Sequence, residues 1–78
     1  MSESSILGWL KIDDYLKVAI ACETSPKSAS EIARITNLSE TRCAEVLKNL
    51  EDVHAVEYTG TGWKLADIGK RVIDKYFK

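Results

Sequence analysis

The chain has 78 residues, a formal net charge of -1, and 45% hydrophobic and 29% charged residues. A chain this short forms one domain and buries only about 60% of the surface that its unfolded form exposes, so we expect modest stability or help from oligomerisation. This composition excludes a disordered or fibrous protein, and the lack of both an apolar run of ~18 residues and a signal-peptide pattern predicts a cytoplasmic location without a membrane span.

The first predicted unit is an N-terminal apolar segment within residues 1–11. Residues 1–5 are polar and expected to fray, whereas residues 6–10 are apolar and interrupted by Gly8, so a helix and an extended segment both stay open. These apolar side chains either cover their own domain or contact a second chain. Because the end of the chain also has surplus apolar residues, we expect a homodimer whose interface contains Ile6, Leu7, Trp9, Leu10, Ile73, Tyr76 and Phe77.

Residues 12–78 are predicted to form one α+β domain that begins with a helix of about three turns. Asp13 and Asp14 suit the start of this helix by charge and by capping, and Pro26 cannot continue it. Residues 27 and 28 are expected to form a brief strand that joins a later hairpin. The apolar face of the helix is predicted to contain Tyr15, Leu16, Ala19, Ile20 and Cys22.

Two helices joined by a tight turn come next in the prediction. Ser28 and Glu31 have the spacing of a capping box, which opens a short helix with an apolar face. Asn37 tolerates the left-handed conformation that ends this helix, and Ser39 is a suitable N-cap for the next helix, predicted over residues 39–52. Helical spacing predicts the inner residues Ile32, Ala33 and Ile35 in the first helix, and Cys43, Val46, Leu47 and Leu50 in the second.

The outer face of the helix over residues 39–52 is polar and mixed in sign. At about 100° per residue, this face carries Thr41, Glu45, Lys48 and Asp52, with Arg42 and Asn49 on one flank. A polar face of this kind is ordinarily solvated and nothing more. A functional interpretation therefore depends on the sequence around it.

A hairpin and a final helix complete the predicted elements. Residues 55–65 alternate in polarity on either side of a loop that holds two glycines, which indicates a β-hairpin. The last helix is expected over residues 67–77, with an apolar stripe broad enough to serve both the core and a dimer contact.

One pattern runs through most of the chain. It consists of a small-residue cap before Glu-Ile-Ala, Leu-Ser before the second helix, L-x-x-L-E at its end, a hairpin, and then Trp63, Leu65 and Gly69. From about residue 12 to residue 72, the chain resembles the winged helix-turn-helix domain of bacterial and archaeal transcriptional regulators. The resemblance implies a three-helix core with a β-hairpin wing and a C-terminal helix.

Two positions depart from the pattern of that family. His54 stands where a helix-ending glycine is usual, so we expect an altered turn into the hairpin. Ala66 stands where a threonine commonly caps the last helix, which shifts the expected cap to Asp67. Neither change removes the fold that the resemblance implies.

The resemblance implies a sequence-specific DNA-binding transcriptional regulator. Such a protein would act as a homodimer on double-stranded DNA, with the helix over residues 39–52 in the major groove and the hairpin over residues 55–65 as the wing. Arginine can bond guanine, asparagine adenine, glutamate the cytosine amine, and lysine a phosphate. The expected DNA contacts are Thr41, Arg42, Glu45, Lys48 and Asn49, with Thr61 and Lys64 on the wing.

A second interpretation is a winged helix that serves as a protein-interaction module within a larger assembly. The net charge of -1 counts against phosphate binding, and Glu40 and Glu45 lie on the presented helix. The charge is unevenly distributed, however, since five basic and two acidic residues follow residue 59. A dipolar surface with a positive end is therefore compatible with the sequence.

No catalytic or metal-binding constellation is present in the sequence. His54 has no second ligand at metal spacing, and the glycine loop lacks the strand-to-helix junction of a phosphate loop. We therefore expect no enzyme, no metal and no cofactor. Cys22 and Cys43 fall on apolar stripes and are expected to be buried and reduced, with a redox pair between them as the alternative.

Overall fold

The computed structural model of the chain describes residues 3–78, which form five helices and a two-stranded antiparallel sheet. The predicted α+β class is confirmed at this level. No helix within residues 3–78 is long and apolar enough to cross a membrane. The elements are α1 (Glu3–Leu10), α2 (Asp13–Ala21), α3 (Ala29–Thr36), α4 (Glu40–Asp52), β1 (Val56–Tyr58), β2 (Trp63–Leu65) and α5 (Asp67–Tyr76).

The N-terminal apolar segment is helical, which decides the choice that its sequence left open. Ile6 and Leu10 are four residues apart, so they share one face of α1, and they are 0% and 1% exposed. This face packs against α2 and α5 and belongs to the common core. Residues 3–5, which were expected to fray, form the first turn of α1, whereas Met1 and Ser2 lie outside the described residues.

A short turn over residues 37–39 joins α3 to α4. Asn37 ends α3 with a φ of 63°, in the left-handed region. The hydroxyl oxygen of Ser28 accepts the N–H of Glu31 at 3.1 Å, and that of Ser39 accepts the N–H of Arg42 at 3.0 Å. Each cap satisfies a backbone donor that has no partner within the first turn of its helix. The predicted N-caps and the tight turn are therefore confirmed.

The predicted inner stripe of α4 is buried. Helix α4 packs against α2 and α3, and its stripe lies at the centre of the core. The stripe residues Cys43, Val46, Leu47 and Leu50 are at most 1% exposed. The 3.6-residue period alone was sufficient to find them, because both neighbouring helices cover the same face.

Two isoleucines predicted to face inward are exposed instead. Ile20 in α2 is 47% exposed and Ile35 in α3 is 54% exposed. The buried residues of α2 follow a stripe that includes Val18, and Ile20 lies about 100° further round the helix than Ala19. In α3, the last inner position belongs to Thr36, whose hydroxyl donates to the carbonyl of Ile32 at 2.7 Å. The exposed side chains of Ile20 and Ile35 form an apolar surface where α2 meets α3.

The passage from α4 to the hairpin occurs at His54. This residue adopts a φ of 63°, and its N–H donates to the carbonyl of Glu51 at 2.9 Å. The next N–H, of Ala55, donates to the carbonyl of Leu50 at 2.9 Å. The turn thus has the left-handed geometry that a glycine usually supplies after a helix, so the expectation of an altered turn was wrong.

The hairpin is antiparallel, with Val56 opposite Leu65 and Tyr58 opposite Trp63. Lys27 adds a third, single-residue bridge, because its backbone N–H and carbonyl exchange hydrogen bonds of 2.9 and 2.7 Å with Trp63. The predicted strand at residues 27 and 28 is therefore confirmed as one bridge.

Helix α5 approaches the start of β1 so closely that one position has no room for a side chain. A Cβ atom on Gly69 would lie 2.3 Å from the carbonyl oxygen of Ala55. The same oxygen accepts the N–H of Ala66 at 2.9 Å. Ala66 is the N-cap of α5 and no side chain caps this helix, so the expected cap by Asp67 was wrong. Asp67 lies in the first turn, where a negative charge suits the helix dipole.

Candidate nucleic-acid interface

The outer face of α4 is exposed, as its sequence predicted. The side chains of Thr41, Glu45 and Lys48 are exposed and follow one another about one turn apart, on a helix whose other side packs in the core. Together they offer a hydroxyl, a carboxylate acceptor and an ammonium donor. This face can therefore present both donors and acceptors to the edges of bases.

Arg42 lies on the flank of this face and has partners within its own chain. Its Nε donates to the Asp14 carboxylate at 3.1 Å, and its Nη1 donates to the Glu45 carboxylate at 2.6 Å. The guanidinium carbon lies 5.5 Å from the centre of the Tyr15 ring. Hydrogen bonds to Glu45 and Asp14 raise the pKa of Arg42 and keep it charged. A residue on the flank of a polar helix face is expected to be exposed, whereas Arg42 is half-buried because α2 runs beside the flank.

Asn49 is held on the same flank. Its Nδ2 donates to the Tyr15 hydroxyl at 2.7 Å. Tyr15 is only 3% exposed, and the Trp9 ring stacks on it with centroids 4.7 Å apart and planes 12° apart. Internal hydrogen bonds therefore orient both Arg42 and Asn49 before either side chain could contact a base.

Sequence reasoning did not select Asp14, Tyr15 or Trp9 as members of this surface. Asp14 and Tyr15 precede Arg42 by about one third of the chain, and periodicity reports only on neighbours within one helix. Tyr15 offered one signal, because a buried tyrosine needs a partner for its hydroxyl. That partner, Asn49, became evident only from the packing of α2 against α4.

The hairpin contributes a second exposed surface. Thr61 shares a hydrogen bond of 3.1 Å with the hydroxyl of Thr59, and the Lys64 ammonium lies 3.9 Å from the Glu57 carboxylate. Tyr58 is 58% exposed, and its ring packs edge-on against Trp63 at 5.3 Å. In the observed register Tyr58 lies opposite Trp63, and such cross-strand aromatic pairs stabilise a hairpin.

The exposed charges of α4 are mainly acidic. Lys48 is accompanied on the exposed part of the helix by Glu40, Glu45, Glu51 and Asp52. Two of these carboxylates have polar partners, since Glu40 accepts from the Ser30 hydroxyl at 3.0 Å and Glu45 accepts from Arg42. The surface is therefore less basic than phosphate binding usually requires.

Three of the positive charges after residue 59 lie close to acidic residues from the first third of the chain. Lys75 lies 3.6 Å from Glu3, and Lys78 lies 2.5 Å from Glu23. Solvent screens exposed ion pairs of this kind, so a polyanion can exchange them. These ion pairs bring the basic residues that follow residue 59 close to acidic residues of the earlier part of the chain. The surface is therefore less dipolar than the sequence suggested.

The residues expected at a dimer interface divide into two groups. The first group is buried within its own chain at no more than 1% exposure and consists of Ile6, Leu10 and Ile73. The expectation that these residues contact a partner is corrected, because the packing of α1 on α5 already covers them. The others retain some exposure, since Tyr76 is 48% exposed, and Leu7, Trp9 and Phe77 are partly buried against the core.

Both thiols are free and buried. Cys22 is 1% exposed and Cys43 is 0% exposed. Burial, followed by the neighbouring Cys43, raises the pKa of Cys22 to about 12, and burial also raises the pKa of Cys43. Because the thiolate is the reactive form, both groups are expected to be inert near neutral pH. The predicted burial is confirmed.

Residues 3–78 hold no group of three or more side chains arranged to bind a metal ion.

Comparison of the chain with protein-family models, with curated proteins and with solved structures finds no match in any of the three.

Proposed function

We propose that this protein is a DNA-binding transcriptional regulator of the winged helix-turn-helix type. The observation that carries the proposal is the α3–turn–α4 unit, which is capped at both helix starts and turned by Asn37, and which leaves the outer face of α4 uncovered. A helix presented in this way has the dimensions to enter a major groove. The exposed hairpin beside it, braced by Lys27, is the matching candidate for a wing.

The packing also gives a physical reason for one residue of the family pattern. Gly69, four residues after Leu65, has no space for a Cβ atom where α5 crosses the start of β1. A glycine at this position is therefore required by the close approach of two backbones. This requirement supports the winged-helix assignment independently of any residue that would touch DNA.

Within this proposal, the exposed residues of α4 have distinct roles. Lys48 binds a phosphate, Glu45 accepts from the amino group of a cytosine, and Thr41 bonds a base edge or a phosphate. Arg42 and Asn49 reach bases from the flank of the helix, and Thr61 and Lys64 contact the backbone from the wing. The bond from Arg42 offsets the charge of Glu45, which reduces its repulsion by the DNA phosphates.

A homodimer is part of the proposal, because two half-sites one helical turn apart require two copies of α4. The side chains that keep apolar exposure on α1 and α5 are the candidates for its interface: Leu7, Trp9, Tyr76 and Phe77.

The direct test is binding to labelled random and genomic duplexes at two salt concentrations. A DNA-binding protein loses affinity as salt rises, because bound cations are released from the phosphates. Lys48→Ala should weaken binding to all sequences and lower the salt slope by about one. Lys75→Ala, on α5, is the charge-matched control and should leave the slope closer to that of the wild type. Absence of salt-dependent binding to any duplex would refute the proposal.

A second candidate function is a protein-interaction module, and the acidic composition of the exposed α4 face favours it. Four carboxylates against Lys48 would suit a basic segment of a partner protein better than a polyanion. Under this alternative, charge reversal at Glu51 or Asp52 would abolish partner binding. Under the DNA proposal, the same reversal would leave duplex binding intact or strengthen it.

A further inference from the structure

Four side-chain contacts link residues of α1, α2 and α4 into a continuous cluster on one flank of α4. Trp9 stacks on Tyr15, the Tyr15 ring faces the Arg42 guanidinium, and the Tyr15 hydroxyl accepts from Asn49. Asp14, the residue before Tyr15, accepts from Arg42. Two residues of α2 thus contact both flank residues of the proposed DNA-reading helix.

The guanidinium of Arg42 is restrained in three directions. Asp14 fixes the Nε side at 3.1 Å, Glu45 fixes Nη1 at 2.6 Å, and the Tyr15 ring lies 5.5 Å from the guanidinium carbon. Tyr15 is itself fixed, since it is 3% exposed and stacked by Trp9. The Nη2 group has no hydrogen-bond partner among residues 3–78, so it remains a donor for another acceptor.

We infer that Asp14 and Tyr15 are positioning residues for sequence recognition, which rests on the proposed DNA-binding function. They hold the Arg42 guanidinium and the Asn49 amide in fixed orientations at the edge of the α4 face. Arginine loses considerable rotamer freedom when it binds a base, and a side chain ordered beforehand avoids that loss. Base discrimination by Arg42 and Asn49 therefore depends on two residues of a helix outside the groove.

The core location of Tyr15 distinguishes positioning from a simple blocking contact. If Asp14 only competed with DNA for Arg42, the guanidinium would need no ordered Tyr15 ring beside it. The remaining donors of Arg42 would then also be occupied by acceptors of the protein. Here the ring is anchored in the core, a second acceptor belongs to the reading helix itself, and the Nη2 donors are left available.

The first experiment needs no DNA. In ¹⁵N-edited NMR spectra of the full chain, the Arg42 Nε–H resonance is expected to be shifted from the exposed-arginine position and protected from exchange with water. Asp14→Asn should remove this protection, since a neutral amide accepts more weakly than a carboxylate. Asp13→Asn is the matched control: it makes the same change one residue earlier, where the carboxylate pairs with Lys17 at 3.3 Å. Equal spectra for Asp14→Asn and wild type, or an unprotected Arg42 in the wild type, would overturn the inference.

The second experiment measures affinities for the best duplex and for its single-base-pair variants. Asp14→Asn should reduce discrimination at one position by roughly three- to tenfold, the factor expected from ordering one flexible side chain, while Asp13→Asn retains it. Tyr15→Phe keeps the ring and removes only the hydroxyl, so it should reduce discrimination at the position that Asn49 reads.

The outcomes separate this inference from the proposed function. If Asp14→Asn keeps every discrimination ratio and raises affinity for all duplexes more than Asp13→Asn does, Asp14 competes with DNA and the positioning role is refuted. If the NMR result is as expected but the wild type binds no duplex, the proposed function fails, and the recognition role fails with it. If duplex binding is intact but Arg42 is mobile, the positioning role alone is refuted.

Discussion

Two glycines in helices allow the same substitution to be tested in opposite environments. Gly8, in α1, has nothing within 4 Å of an added Cβ atom, whereas Gly69, in α5, would place that atom 2.3 Å from the Ala55 carbonyl oxygen. Alanine is favoured over glycine inside a helix by about 1 kcal/mol, so both substitutions gain helix propensity. Only Gly69→Ala also creates a steric overlap.

The magnitude of that overlap follows from the distances. Real Cβ contacts are essentially never under 3.0 Å, so α5 and the start of β1 must separate by at least about 0.7 Å. The Ala55 oxygen that would be displaced also accepts the N–H of Ala66 at 2.9 Å, and weakening that bond adds roughly 1 kcal/mol. Overpacking costs about 1 to 3 kcal/mol, and the propensity gain roughly cancels the loss from the weakened hydrogen bond, so the net loss of stability for Gly69→Ala is about 1 to 3 kcal/mol.

Thermal and urea unfolding of the full chain, followed by circular dichroism, provide the assay. One kcal/mol corresponds to about 4–8 °C in a domain of this size, so Gly69→Ala should lower Tm by roughly 4–24 °C. Gly8→Ala should leave Tm unchanged or raise it by a few degrees. A Gly69→Ala protein as stable as the wild type would refute the close approach of α5 to β1. A strongly destabilised Gly8→Ala protein would mean that another surface covers α1.

Three further predictions concern the core, the thiols and the assembly. Leu47→Ala should lower the free energy of unfolding by about 2 to 5 kcal/mol through a core cavity, as measured by urea unfolding, whereas Lys48→Ala, one residue later and exposed, should change it by about 0.5 kcal/mol or less. Burial raises the pKa of Cys22 from 9.0 to about 12, so the unfolded chain loses this proton at lower pH than the folded chain. The free energy of unfolding should therefore fall between those pH values by up to about 1.4 kcal/mol per pH unit, with little change below about pH 8. Paired urea titrations of wild type and Cys22→Ala isolate that slope, and identical slopes would contradict it. Light scattering at tens of micromolar should give twice the chain mass of 8.7 kDa, and a monomer mass would remove the homodimer from the proposal.

The elements of this fold that depend on local chemistry could be predicted from the sequence. The caps at Ser28 and Ser39 form because a hydroxyl lies within reach of an N–H three residues later, and this distance is fixed once a helix starts. Asn37 ends α3 because it tolerates a positive φ. The stripe of α4 and the hairpin follow from periods of 3.6 and 2 residues.

The same local rules failed where a second element decides the outcome. Periodicity placed Ile20 and Ile35 inside, but α2 and α3 are short helices whose covered face depends on how they meet α4. The conformation of residues 6–10 could not be decided because α1 gains its buried face only by packing on α2 and α5. The Asp67 cap failed because backbone packing, and not a side chain, sets the start of α5.

The candidate site shows the same division between local and long-range causes. The sequence by itself determined that Thr41, Glu45 and Lys48 share the outer face of a helix, since rotation about one helix axis fixes their direction. Only the tertiary structure decided that Arg42 and Asn49 are held by Asp14 and Tyr15, because that contact depends on the angle and distance at which α2 crosses α4. Those quantities arise from the packing of the whole core, which no single stretch of the sequence specifies.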